Sequence, residues 1–365
     1  MTEDKQSKPI QLEPTVSWGT GQGRIAIAGA GAGIVAQSHI PSYRRLGVDI
    51  DLLFDLDPAC LQAATEAVEK TGGTTRSVDD REAFLAAVRD SNFDLLDVAV
   101  PSPVHSAFLD GIFDDLGSAC PDLMVQKPLA ESAEVAQRLV TRAEDLGVRL
   151  FMQMNGRWVP TFRKLREAVH SGILGEIHVV QILNRGLNPK IPEEWRSHLD
   201  RLIGYEMAIH HVDLLVWLFG LPEWVFATYR SVPGFVVKAD NFAVMTMGFG
   251  EHLVANVVED WTCRVETAWH LHPREEQIVV TGTDGTAFMT PHELTITVDG
   301  GTRTYVNKAP WFPDAFGGPM EEALNARREG RGSDIEGADH VGLLNVLDSL
   351  YRSAAEKNVV QLTKD

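Results

Sequence analysis

The chain has 365 residues, 44% hydrophobic and 23% charged, which is room for two domains with cores of their own. Fifty-one acidic against 33 basic residues leave a net charge of −18, which argues against nucleic acid or an anionic membrane as partner. Apolar runs such as Leu214–Leu218 are too short to span a bilayer, and the polar opening MTEDKQSKPIQLEPTVSWGTGQG has no signal-peptide core.

Residues 1–23 read as a flexible arm. From Arg24 to about Phe151 short apolar runs alternate with amphipathic stretches. RIAIAGA reads as a buried strand entering a glycine turn, IVAQSHIPSYRRL as a helix, and DIDLLFDLD as a second strand. PACLQAATEAVEKTGG and REAFLAAVRDS are helices, and FDLLDVAVPSP is a strand ending in a turn. LMVQKPLA and VRLFMQMN are strands flanking the helix SAEVAQRLVTRAEDLG. This alternation predicts a parallel, doubly wound Rossmann-type sheet over residues 24–150.

After Arg157 the rhythm changes, and residues 151–365 read as an α+β domain. The helix VPTFRKLREAVHSGILG leads into the strand IHVVQILN, and the helix containing GYEMAIHHVDLL is closed by Gly220 and Pro222. WVFATYR, NFAVMTMGFG, HLVANVVEDW, EEQIVVTGTDGTAFMT and ELTITVDGGTRTYV follow as strands with tight Gly/Asp turns, predicting an open, mainly antiparallel sheet. A last amphipathic helix covers roughly 340–357. The scattered cysteines Cys60, Cys120 and Cys263 fit a reducing cytoplasm and no disulfide framework.

The turn GAGAGIVAQSH contains two overlapping phosphate cradles, starting at Gly29 or at Gly31; the second reads G-x-G-x-x-A, with Ala36 in the close-packing position. Such a turn lets the backbone approach a pyrophosphate, whose charge the following helix N-terminus stabilises. Asp55 ends the next strand, where a carboxylate binds both ribose hydroxyls and repels a 2′-phosphate, favouring NAD over NADP. In GYEMAIHHVDLL three readings stand side by side: a metal site, a catalytic base with helpers, or two core histidines. Metal needs three ligands; Glu206 and His210 supply two and no third is identifiable, so no metal is expected. The alternating His270 and His272 of HLHP share one strand face, as such pairs do incidentally.

The glycine turn with His39, Asp55, VPSPVH, QKP, NGRW and the helix around His210, in this order, resemble the Gfo/Idh/MocA (glucose–fructose oxidoreductase / inositol dehydrogenase) family. The resemblance implies a Rossmann domain followed by an open-faced antiparallel sheet that binds substrate and forms a homodimer or homotetramer interface. It also implies a nicotinamide cofactor and sugars, cyclitols or their derivatives as substrates. The cofactor residues it points to are Gly29, Gly31, Gly33, Ile34, Asp55, Pro101, Ser102, His105 and Gln126. Lys127 falls on the family lysine, with Gln126 where the family has glutamate. His210 falls on the family histidine, with Glu206 and Asp213 on its two acids; Glu206 replaces the usual aspartate, and Arg201 and Leu202 stand where glycines often precede it. At about 100° per residue these three lie within a sector of about 60°, and His211 points about 100° from His210, toward packing. His210 is the expected proton-transfer residue, Glu206 its partner and Lys127 the electrostatic helper. Asn155, Arg157, Lys127, His210 and the aromatic Trp311 are the expected substrate contacts.

The expected activity is hydride transfer between NAD and a secondary alcohol or ketone of a sugar, sugar derivative, glycoside or cyclitol. Two alternatives are an NAD-cycling glycoside-cleaving enzyme and a sensor that binds NAD without turnover.

Overall fold

A computed structural model describes residues 8–31, 34–187, 195–235, 239–264, 275–309 and 311–362. The chain forms two compact units, one from Thr15–Trp158 with Pro310–Leu344 and one from Met1–Pro14, Val159–Ala309 and Asn345–Asp365. The first unit therefore takes in a segment from far down the chain, after the second sheet.

The first unit holds a six-stranded parallel sheet in the order Arg76–Val78, Asp49–Phe54, Arg24–Ala28, Leu95–Val98, Asp122–Val125, Leu150–Met152. Ile25, Ala26, Ile27 and Ala28 are all fully buried although successive side chains point to opposite faces, so both faces are covered. The chain starts in the middle, winds outward, then returns to continue on the other side. The order reverses between Arg24–Ala28 and Leu95–Val98, and in such sheets ligands bind beyond the strand ends at that switch point. Helix starts are capped by short acids and serines: Asp57, Asp80 and Ser132 accept from the N–H groups of Ala59, Ala83 and Val135.

The second unit holds a ten-stranded, mainly antiparallel sheet. Its order is Ile10–Gln11, Gly301–Val306, Glu293–Val298, Gly285–Met289, Glu275–Gly282, Ile177–Arg185, Leu253–Asp260, Phe242–Phe249, Trp224–Arg230, Val360–Gln361. Leu253–Asp260 runs parallel to Ile177–Arg185, as does Ile10–Gln11 to Gly301–Val306. Part of the expected flexible arm is thus an edge strand: an open sheet edge offers unpaired N–H and C=O groups, and residues 10–11 pair with them.

Strict alternation separates the sheet's two faces. Ala227, Met245, Val257, Ile182, Ile278 and Met289 form one buried row across neighbouring strands. On the opposite face Phe226, Val244 and Phe288 are exposed. The buried face also carries a polar row, Glu259–Asn184–Glu276, aligned across three strands. His211 sits against it, with Nδ1 at 2.5 Å from Glu259 Oε1 and Nε2 at 3.2 Å from Glu276 Oε2. His211 is packed, as expected, but into an ionic network. Burial acts to lower its pKa, yet the two carboxylates outweigh burial and push it up to about 10.

A histidine whose folded pKa lies above its ordinary 6.5 contributes stability that is complete below that value and is lost as pH rises toward about 10. The denaturation midpoint should therefore fall over this window, and fall less in a His211→Gln variant. That variant should itself be destabilised by about 3–5 kcal/mol, since it leaves buried carboxylates without their cation. Urea titrations of both proteins at several pH values check this.

Candidate functional site

At the switch point, Gly29 has φ +80°, and a Cβ there would lie 2.5 Å from the Val100 backbone nitrogen. Only glycine fits between the two strand-end loops. A Cβ on Gly31 would lie 3.0 Å from Asp55 Oδ2, so the glycine turn faces the carboxylate at the end of the neighbouring strand. A backbone turn clear of side chains, next to an acid, fits a dinucleotide's phosphates and ribose. Gly33 lies outside the described residues, as do His270 and His272. Ile34 and Pro101 are exposed, and Ser102 is half-buried in the turn Ser102–Val104.

The helix after the glycine turn opens with a wide π turn over Val35–His39, in which the Ile40 N–H reaches Val35 O. π turns are rare and concentrate at functional sites. His39 points inward, fully buried, with Nδ1 at 2.7 Å from Asp97 Oδ2 and Nε2 at 2.6 Å from the Gln126 amide nitrogen. Tyr43 accepts from Gln153 at 2.8 Å, and its hydroxyl lies 3.2 Å from His39 Nδ1. Burial, then the charge of Asp97, holds Tyr43 well above the ordinary phenol range, so it stays protonated.

Two further histidines hold the turn after Gln126. His105 is buried, its Nδ1 2.7 Å from Pro128 O and its Nε2 2.6 Å from Val100 O. Carbonyls only accept, so the ring acts as a donor to the backbone here. Both nitrogens are committed to backbone, so His105 ties two strand ends together and its ring does not reach outward. His340 Nε2 accepts from the Leu129 N–H at 3.4 Å. Burial, then the charges of Arg157 and Lys127, pushes its pKa down to about 3, leaving it the neutral acceptor this bond needs. Gln126, Lys127 and the residues after them are thus held by His39, His105 and His340, and Lys127 itself remains half-buried.

Arg157 and Asn155 share the short turn Asn155–Trp158 and are both buried. Arg157 donates to the Asp334 carbonyl and lies 3.8 Å from the Asp334 carboxylate. Trp311 is buried in the first unit.

In the second unit, GYEMAIHHVDLL begins with another π turn, Gly204–Ala208, whose Gly204 carbonyl accepts from the Ile209 N–H, before the α-helix Ile209–Phe219. The α-helical phase expected for this stretch therefore holds from His210 to Asp213 but not back to Glu206, because the π turn adds a residue to the turn between them. Asp240 anchors the start, accepting from the N–H groups of Leu202 (2.9 Å) and Ile203 (3.0 Å) and from the Tyr351 hydroxyl (2.8 Å). Arg201 is held by Asp348 at 2.6 Å and stacks over Tyr205. His210 is half-buried and Asp213 buried. Glu206 Oε2 accepts from Arg196 Nε at 3.1 Å. Among the described residues no three His, Cys, Asp or Glu side chains gather as a metal would need, and no helix is long and apolar enough to cross a membrane.

Residues 23–154 match the model of the oxidoreductase family with an NAD-binding Rossmann fold, and residues 162–288 match that of the GFO/IDH/MocA C-terminal domain. The chain belongs to the Gfo/Idh/MocA family. It is an oxidoreductase with an NAD-binding Rossmann domain and a mainly antiparallel second sheet. A scyllo-inositol 2-dehydrogenase (NADP(+)) of Bacillus subtilis is 20% identical over 83% of this chain and 87% of its own. The D-glucoside 3-dehydrogenase of Escherichia coli is 28% identical over 54% of each chain; an inositol 2-dehydrogenase of Corynebacterium glutamicum likewise matches over only about half its length, 54%. Among solved structures, an Agrobacterium radiobacter oxidoreductase in complex with NAD+, L-tartaric acid and magnesium superposes with TM-score 0.80 at 21% identity, covering 93% of this chain and 98% of that one. A levoglucosan dehydrogenase in complex with NADH and levoglucosan gives 0.78 at 16% identity, covering 94% and 100%.

Three residues of these networks carry little local signal. Asp97 shows as a charge inside an otherwise apolar strand, but its partner His39 is 58 residues away. His340 follows Leu129 by 211 residues, and Asp240 stands 38 residues after Leu202. A Gly29→Ala variant should weaken NADH binding about 10- to 100-fold, given a strain of about 1–3 kcal/mol at a positive φ. A fluorescence titration with NADH checks it.

Proposed function

We propose that the protein is an NAD-dependent dehydrogenase or reductase acting on a secondary alcohol or ketone of a sugar, sugar derivative, glycoside or cyclitol. The observation that carries this reading is the first unit's switch point, where a turn that only glycine can make faces Asp55 and histidines hold the Lys127 turn. The dehydrogenases among its relatives support the substrate class. Asp55 beside the glycine turn supports NAD over NADP, because a carboxylate repels a 2′-phosphate. Gly29, Gly31, Gly33, Ile34, Asp55, Pro101, Ser102 and Gln126 are assigned to the cofactor, with His105 acting through backbone.

Bound NAD supplies the hydride acceptor. His210 takes the hydroxyl proton as the alcohol carbon gives up hydride and becomes a ketone, and returns it in the reverse direction. Glu206, paired with Arg196, orients His210 and stabilises its charged form. Lys127 stabilises the alkoxide that develops between the two transfers. Asn155, Arg157 and Trp311 are assigned to the substrate. The cysteines Cys60, Cys120 and Cys263, none in a disulfide, support a reducing cytoplasm.

His210→Asn and Lys127→Ala should each lower turnover by roughly 10²–10⁴-fold while NAD binding persists. NADH absorbance with a panel of sugars, glycosides and cyclitols is the measurement. Near-normal turnover in either variant would remove its assigned role, and product without net NADH would indicate the NAD-cycling reaction instead.

We also propose a homo-oligomer, dimer or tetramer, built on the second sheet's outer face, supported by the exposed Phe226, Val244 and Phe288 there. Sedimentation should find the wild type associated and a Phe226→Glu/Phe288→Glu variant monomeric.

A further inference from the structure

The family pattern has glutamate before the lysine of the Lys-Pro pair, and this chain has Gln126. The contacts of Gln126 explain the difference by a tautomer. A carboxylate only accepts hydrogen bonds, so the His39 nitrogen facing Asp97, Nδ1 at 2.7 Å, carries a hydrogen. A neutral imidazole has one N–H, which leaves Nε2 a lone pair. The atom facing that lone pair at 2.6 Å is the amide nitrogen of Gln126, a donor. Glutamate there would set a carboxylate against the lone pair unless the ring took up a second proton. The ring is fully buried, between Tyr43 and Phe316 with centroids at 5.3 and 5.1 Å, and Asp97 is equally buried. The groups that face it are Asp97, the neutral Tyr43 hydroxyl with Gln153 behind it, Gln126 and the Phe316 ring.

We propose that His39 is a positioning residue for Lys127: fixed by Asp97 as the neutral, Nδ1-protonated ring, it accepts from the Gln126 amide and thereby sets the lysine that follows. Gln126 is on this account the residue matched to a buried Asp97, and Asp97, His39 and Gln126 form one unit. The inference rests on the assignment of Lys127 to the cofactor and the reacting oxygen.

The direct test uses the full-length protein labelled with ¹⁵N-histidine, with the His39 signals assigned through a His39→Gln variant. Nδ1 should be protonated and Nε2 bare; a doubly protonated ring or the Nε2–H tautomer would overturn the proposal. The functional test uses NADH as the probe. Gln126→Leu, which leaves the His39 lone pair without its donor, should bind NADH about 10-fold more weakly. Asp97→Asn/Gln126→Glu reverses the order of amide and carboxylate, so the ring takes the opposite tautomer with both bonds intact. This double variant should keep most of the wild-type affinity. Wild-type-like binding by Gln126→Leu, or a double variant no better than Gln126→Leu, would count against the proposal. If Gln126→Leu does not fold, the tautomer in the native chain decides. A wild type that binds NADH but turns over no sugar or cyclitol would sink the functional reading alone, since tautomer and affinity are read without turnover.

Discussion

The approach of Gly29 to Val100 is the constraint on which the first unit's site depends. The two loops leave neighbouring parallel strands at the point where strand order reverses, and they meet with no room for a side chain. Everything that follows is tied to that contact. His105 binds the Val100 carbonyl with one nitrogen and the Pro128 carbonyl with the other, so the third strand end is fixed relative to the first two. His39, at the end of the π turn that follows the glycines, reaches the same region through Gln126. The Lys127 turn is therefore positioned by buried hydrogen bonds, which lose far more when broken than they contribute net, and this makes its geometry well determined.

The second unit meets the same problem of placing polar groups with a different solution. Its sheet buries a row of Glu259, Asn184 and Glu276, groups costly to desolvate alone. His211 compensates them, and that commits one of the two adjacent histidines to the fold. Consecutive residues on a helix point about 100° apart, so His210 is turned away from this network by the same backbone that carries His211 into it. The different surroundings of the two histidines are thus a consequence of helix geometry acting on a His-His pair.

What could be read in advance divides along the distance over which the physics acts. Apolar alternation and glycine turns are local, so the parallel and antiparallel sheets, the glycine cradle and Asp55 could be read from the chain. The π turns at Val35–His39 and Gly204–Ala208 could not, because an extra residue in a turn leaves no periodic mark over so few residues. Nor could the return of Pro310–Leu344 to the first unit, or His340 on the Leu129 amide, since these are tertiary pairings with no sequence spacing of their own. The edge strand Ile10–Gln11 was hidden for a related reason: two residues are too few to show alternation, and the sheet edge supplies the bonds.

Histidine shows most clearly why residue type alone underdetermines chemistry. His105 faces two carbonyls and can only donate to them. His340 faces an N–H and must be bare at that nitrogen. His211 lies between carboxylates and holds its charge toward about pH 10. Each state is dictated by what the ring's partners can accept or donate. The same logic bears on Glu206, the acid that is one methylene longer than its family counterpart. Its carboxylate is shared with Arg196 at 3.1 Å, and a side chain only 9% exposed keeps that pair from being fully screened. The acid's longer reach serves this pairing, so the Glu206 carboxylate is held from outside its own helix, by a residue of the short turn Trp195–His198.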